Sequence, residues 1–288
     1  MKTLYVIGNG FDIYHGLSTG YQFFYKYLFQ NQKELVDDLK KYFFSIDDDE
    51  KLWSSLEENL ENFNWKSFLD DNCNVQSDDE NFELNSTYGL EDEINEQSQK
   101  LIESIREAFE SWIENIDIES VEKKLHLEEN SFFINFNYTL LLENIYQIHQ
   151  DKIVHIHGDI DNKQIVFGHN KVLDEDSEID KNGDSNRTPF SDSESAAKQA
   201  FHAFYKPVGN IIEANKHHFE NFNTVNKIII LGHSLNKIDI PYFKEILIHT
   251  NNAKWEVSYH DHKEEMKHLQ KLQKIGINKK DIKLFRLD

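Results

Sequence analysis

One cysteine, Cys73, stands in the 288 residues, so neither an internal disulfide nor a cysteine-based zinc site can form. Only three of the 31 basic residues are arginine (Arg106, Arg187 and Arg286), too few for a surface that clamps phosphates or reads bases with forked guanidinium contacts. No apolar run approaches the ~18 residues of a membrane span. Internal repeats and proline-rich linkers are missing too. Met1-Lys2-Thr3 leads straight into a strand-like run rather than a signal peptide. The expectation is a soluble, cytoplasmic chain of a reducing compartment, with no membrane partner.

What the chain has in excess is acid. Fifty-two Asp and Glu against 31 Lys and Arg give a formal charge of −21, a field that disfavours direct nucleic-acid binding. Hydrophobic residues at 39% and aromatics at 13% still supply a sizeable core. The acidity is concentrated: residues 47–96 carry a net −15 and residues 159–194 a net −6, which leaves the rest balanced. A neutral scaffold with two acidic insertions is the natural reading. One domain over 1–288 is expected to carry an acidic helical insertion over 45–125 and a flexible acidic loop over 171–195. Trp53, Leu56, Leu60, Phe63, Trp65, Phe68 and Leu69 should anchor short helices in the first insertion, with Asn72 to Ser86 as a mobile loop.

Along the scaffold, short β-branched and aromatic runs recur at Thr3–Ile7, Phe132–Phe136, Lys152–Ile156, Gln164–Phe167, Lys227–Leu231, Lys254–Tyr259 and Lys283–Leu287. Several are apolar throughout, as strands covered on both faces are. Helical patterns alternate with them. Ser18 is placed to cap a helix from about Tyr21 to Phe44; Leu101, Ile105, Phe109, Trp112 and Ile116 form one apolar stripe; a helix follows Asn137 over Leu140 to Gln150; and Lys263 to Ile275 is closed by Gly276. The predicted class is α/β with a Rossmann-like parallel sheet.

In such sheets ligands bind where loops leave the carboxyl ends of the strands. Small and polar motifs follow five of the runs, and each has a plain alternative. Gly8-Asn9-Gly10 lets backbone approach a diphosphate or simply makes a tight turn, and the full dinucleotide fingerprint fails because Ile13 holds its third glycine position. Asp12 holds a ribose hydroxyl or caps the next segment. Asn137 orients a sugar hydroxyl or a water, or caps a helix. His155 and His157 are expected on opposite faces of a strand, with His157, beside Gly158, the better general base. A metal reading would join His157, Asp159 and His169, but no carboxylate-rich metal motif accompanies them, and no metal is expected. Gly232-His233-Ser234-Leu235-Asn236 is half a nucleophile elbow, better suited to touching a phosphate or ribose than to a Ser234 nucleophile.

Taken in order, Gly8-Asn9-Gly10-Phe11-Asp12, Asn135-Phe136-Asn137-Tyr138-Thr139, His157-Gly158 and Gly232-His233-Ser234-Leu235 resemble the sirtuin-like pattern. More closely, Leu4 to Asp12 and Leu231 to Leu235 with Asp239, Tyr242 and Phe243 are similar to the AbiH family of bacteriophage abortive-infection proteins. The resemblance implies a Rossmann-like domain that binds NAD and cleaves it to nicotinamide and ADP-ribose. Asn137 would orient the nicotinamide ribose and the attacking water, and His157 would be the base. Gly8, Asn9 and Gly10 would cradle the diphosphate, with Gly232 and Ser234 on the adenosine side and Asp12, Asn236 and Asp239 completing the nucleotide contacts. Thr139 departs from the family's usual Asp, and no cysteine pairs of a deacylase zinc module are present. NAD is then a substrate, turned over without metal and under control by self-assembly or a companion defence protein that contacts the acidic insertions. The alternatives are a non-catalytic sensor of NAD or ADP-ribose and a metal-dependent phosphoesterase or nuclease.

Overall fold

The computed structural model describes residues 2–44, 56–73, 89–173, 177, 179–250 and 252–287. Its six strands are β1 (Lys2–Ile7), β2 (Phe132–Asn135), β3 (Ile153–His155), β4 (Val225–Leu231), β5 (Lys254–Tyr259) and β6 (Ile282–Arg286). They form one sheet, ordered β3-β2-β1-β4-β5-β6 and parallel at every pairing. With helices between the strands, this is the expected Rossmann-like α/β arrangement.

The chain divides into two compact units. The first comprises residues 1–23, 110–166 and 207–288 and holds the whole sheet; the second comprises residues 24–109 and 167–206. Alternation along β1 shows why its sequence is apolar throughout. Leu4 and Val6 enter one core with Ile134, Ile228, Ile230 and Trp255, while Tyr5 and Ile7 enter another with Phe133, Ile229 and Leu231. Tyr5 stacks on its register partner Phe133 at 5.1 Å.

The second unit is helical and packed on aromatic rings. Phe109 stacks on Phe167 at 4.2 Å and meets Phe24 edge-on at 5.3 Å, and Phe43 lies 4.7 Å from Phe63. The anchors Leu56, Leu60, Phe63 and Phe68 are buried as expected, on Leu56–Asn59, a 3-10 turn at Leu60–Asn62 and the helix Trp65–Asn72. Asn64 starts that last helix by accepting the Ser67 N–H at 3.1 Å. Residues 45–55 and 74–88, which include Trp53 and most of the expected mobile loop, lie outside the described residues.

Several elements differ from expectation. Gln164–Phe167 is not a strand: the Val166 N–H donates to the His157 carbonyl at 2.8 Å, so this stretch lies along the loop after β3 instead of joining the sheet. The aromatic-rich helix is two helices, Tyr21–Asn31 and Lys33–Tyr42, because Gln32 leaves helical geometry at φ −147° and ψ 64°. Ser18 is not its cap; the Gly20 carbonyl accepts the Phe23 N–H at the helix start. The helix after Asn137 is only Leu141–Asn144, since Gln147 at φ 59° turns the chain away. Within 171–195, residues Ser191 to Ser195 begin the helix Ser191–Ala197, and Ser193 is buried. Among the described residues no helix is long and apolar enough to cross a membrane.

Strand order reverses between β1 and β4, and register sets the carboxyl ends level there: Ile7 pairs with Leu231 and Asn135, and Asn135 with His155. The pairing continues into the loops. Gly8 N–H reaches Leu231 O at 2.9 Å, and Gly10 N–H reaches Gly232 O at 2.7 Å. Gly232 sits at φ +64°, and a Cβ there would fall 2.0 Å from Phe11 N; on Gly10 it would fall 2.8 Å from Gly232 O, and on Gly8 2.6 Å from His233 Cα. The turns after β1 and β4 therefore touch backbone to backbone, which only residues without Cβ allow.

Gly232→Ala should destabilise the protein by about 3 kcal/mol or more in urea melts, combining left-handed strain with forced overpacking. Gly209→Ala, in the helix Val208–Ala214 with open space around its Cα, should be neutral or stabilising by up to about 1 kcal/mol. Equal effects of the two changes would mean that the turn-to-turn contact is not under constraint.

Candidate functional site

Asp12 lies in the first turn of the helix Asn9–Tyr14 and is buried at 1% exposure. The helix carries it under the loop that leaves β2. There Asn137 Nδ2 donates to its Oδ1 at 2.7 Å and Thr139 Oγ1 to its Oδ2 at 2.6 Å. Asn137 Nδ2 also reaches Gly8 O at 3.2 Å, and Asn137 N–H donates to Asn135 Oδ1 at 3.1 Å. The carboxamide is thus locked through its nitrogen and does not cap the following helix. Its oxygen, Oδ1, is buried with no hydrogen-bond partner among the described residues. A fixed, buried acceptor of this kind calls for a hydroxyl or a water to complete it.

Burial dominates the acid–base state of Asp12 and pushes its pKa up to about 7, against the two hydrogen bonds and the attraction of His155, which favour the carboxylate. His155 is itself held by a 2.7 Å contact to Glu143 Oε1, and its Nδ1 lies 3.3 Å from Asn137 O. Burial works against its charged form, but the Glu143 carboxylate outweighs that and lifts its pKa above the ordinary histidine range.

Strand alternation does not send His155 and His157 to opposite faces, although their surroundings differ. A regular strand would keep residues two apart on one face. They part because β3 ends at His155, where Gly158 N–H closes a turn onto the His155 carbonyl at 3.1 Å. His157 is 3% exposed. Its ring stands edge-on to Phe136 at 5.2 Å and to Tyr242 at 5.5 Å, and its Nε2 is 3.8 Å from Asp239 Oδ1. His233 approaches the other Asp239 oxygen, with Nε2 3.6 Å from Oδ2, and its ring meets Phe136 at 4.4 Å and Phe243 at 5.0 Å.

The named residues therefore gather into two clusters on neighbouring loops: Asp12, Asn137 and Thr139 with Gly8, and His157, His233 and Asp239 around Phe136. The remaining candidates are placed less centrally. Gly8 and Gly10 give their N–H groups to Leu231 and Gly232, so these two amides serve the turn-to-turn contact and offer no phosphate cradle. Asn9 Nδ2 holds Thr19 O at 2.9 Å. Ser234 is exposed, and Asn236 accepts the Lys237 N–H and shapes a turn. Asp159 caps its own loop by accepting from Asn162. In the second unit, His169 contacts Phe201 O through Nε2 and accepts the Lys171 N–H at Nδ1. Burial lowers its pKa to about 4, so it is a neutral structural histidine.

Thr139, Glu143, His233 and Tyr242 carry more of the site than the sequence reading assigned to them. Thr139 and His233 lie in the polar motifs that follow β2 and β4, where a polar side chain beside a buried strand end is the signal. Glu143 has no such signal, because only the path of the loop brings it to His155.

Asp12 and His155 make a directional pH prediction. Both have raised folded pKa values, so both contributions are fully present at low pH and are lost as pH rises through those values. For Asp12 the window runs from its ordinary value of 3.8 to about 7, worth up to about 4 kcal/mol. Asp12→Asn keeps an acceptor for Asn137 and lets the Thr139 hydroxyl rotate to accept. The variant should fold and lose that part of the slope when urea stability is followed from pH 4.5 to 7.5. An unchanged slope would remove Asp12 as its source.

The family model for Bacteriophage abortive infection AbiH matches residues 4–259, a span that takes in both clusters. No curated protein matches the chain.

Proposed function

We propose that this chain, which belongs to the bacteriophage abortive infection AbiH family and so to abortive infection of phage, acts there by binding NAD and hydrolysing it to nicotinamide and ADP-ribose. The observation that carries the reading is the buried, unpartnered Oδ1 of Asn137 at the carboxyl edge of the sheet, beside the point where strand order reverses. It is an acceptor set for a ribose hydroxyl or the attacking water, aligned by Asp12 and Gly8 through its amide. The fit is better at the ribose than at the diphosphate, since Gly8 and Gly10 have spent their N–H groups on neighbouring carbonyls.

Cleaving the nicotinamide–ribose bond builds positive charge on the sugar, as glycoside hydrolysis does. A carboxamide oxygen and nearby carboxylates stabilise that charge, and nicotinamide leaves without a strong acid. His157 takes the proton of the water or of a ribose hydroxyl, and Asp239 favours the resulting imidazolium. The burial of His157 favours a second reading, a sensor that holds NAD or ADP-ribose without turnover. Control by self-assembly or by a companion defence protein belongs to both.

Incubation of the purified protein with NAD in EDTA, followed by chromatography, should yield nicotinamide and ADP-ribose. Asn137→Ala and His157→Ala should each lower the rate about 100-fold or more while remaining folded by circular dichroism. NAD bound without products would select the sensor. Neither binding nor products would end the nucleotide reading.

A further inference from the structure

Asp239 is the first residue before the helix Ile240–His249, the place where an aspartate ordinarily accepts N–H groups of the first turn. Here its side chain makes no such cap, and Pro241 stands in the first turn. The carboxylate is directed instead at two imidazoles, His157 Nε2 at 3.8 Å from Oδ1 and His233 Nε2 at 3.6 Å from Oδ2. One turn of the same helix supplies Tyr242 and Phe243, which wall the two rings.

The tautomer of His233 follows from its other nitrogen. Nδ1 accepts the Leu235 N–H at 2.9 Å, so a neutral ring carries its proton on Nε2, facing Asp239. The same bond argues against a metal held by these three residues, because a neutral ligating histidine donates from its second nitrogen and this one accepts there. Leu235 presents that N–H from the left-handed region, at φ +53° and fully buried. Such strain persists where the surroundings over-determine a conformation, and it concentrates at functional sites.

We propose that Asp239 is a positioning residue for His157, and that His233 holds Asp239 in the rotamer that does so. The role rests on the proposed NAD hydrolysis and replaces the nucleotide contact expected of Asp239. At 3.6 and 3.8 Å the contacts are longer than hydrogen bonds, and a positioning role has them tighten in the complex. The groups facing His157 are then Asp239 and Tyr242 from the helix and His233, by way of Asp239, from the loop after β4.

The test is a histidine-side-chain NMR titration of the full chain without NAD, with the His157 signals identified by their loss in His157→Gln. Removing a carboxylate about 4 Å from an imidazole disfavours the cation. Asp239→Asn, which preserves shape and a helix-starting residue, should move the His157 midpoint down by about one pH unit. His233→Leu should give a smaller shift in the same direction, and His233→Gln, which restores a donor near the position of Nε2, should reverse it. A His157 midpoint unchanged in Asp239→Asn would overturn the proposal. So would a His233→Leu midpoint equal to that of the parent chain. This readout needs no turnover, so an absence of NAD cleavage would count against the hydrolytic reading and leave the positioning test intact. Where cleavage occurs, the acid limb of its pH profile should move with the His157 midpoint in Asp239→Asn.

Discussion

The site depends on one contact, the backbone of Gly232 against the backbone of Gly10 and Phe11. Parallel strands level their carboxyl ends only approximately, and the side chains of two facing loops normally hold those loops apart. With Cβ atoms missing at Gly8, Gly10 and Gly232, the turns after β1 and β4 close onto each other and share a hydrogen bond. Two consequences follow directly. The carbonyl of Gly8 is pinned where Asn137 can reach it, and the residue after Gly232, His233, is delivered beside Phe136. Glycines in a Rossmann-like first turn are usually explained by the approach of a phosphate. Here the nearest obstacle to a Cβ is the protein's own backbone, and that is explanation enough for their presence.

From that contact the two clusters grow along different elements. Asp12 is reached by continuing the chain one helical turn, and its burial would be costly as an anion without donors. Asn137 and Thr139 supply one donor to each oxygen, yet desolvation still leaves the group titrating near neutrality. Its structural task is to fix Asn137. The Thr139 hydroxyl, which stands where the resemblance leads one to expect a carboxylate, supports that task without adding a second buried negative charge beside Asp12.

How much of this was legible in the sequence follows from the range of each interaction. Strands β1, β2 and β4 were readable because burial on both faces leaves apolar runs, β5 because Trp255, Val257 and Tyr259 alternate with polar residues, and the edge strand β6 because its run is bounded by turns. Gln164–Phe167 has the same composition, but it spends that apolarity against a loop, and composition does not distinguish a sheet from a loop as the partner. Asn137 was readable because it stands in a polar motif directly after a buried strand. The partners of Asp239 were not, since the resemblance implied a nucleotide contact for it and only the fold brings His157 and His233 to its carboxylate. His169 figured in the sequence only as part of a metal reading that was set aside, and the structure ties both of its nitrogens to backbone.

Phe136 and Asn137 show how the two clusters remain separate while being adjacent in the chain. Phe136 enters the core that contains Tyr242 and Phe243 and stacks parallel to Phe243 at 6.1 Å, whereas Asn137 turns to Asp12 beside Phe11, which belongs to the other core. An extended pair of residues sends its side chains to opposite sides, so neighbours at one strand end serve both. The arrangement divides the chemistry. On one side an amide locked by a carboxylate leaves a single oriented acceptor; on the other a carboxylate faces two imidazoles walled by aromatic rings. A hydrolysis that must hold a sugar and move a proton uses both kinds of group, and a receptor that only holds a nucleotide has no need of the second. The second cluster, with its left-handed Leu235 and a helix start that Asp239 does not cap, is therefore where the proposed hydrolysis and the sensor reading part.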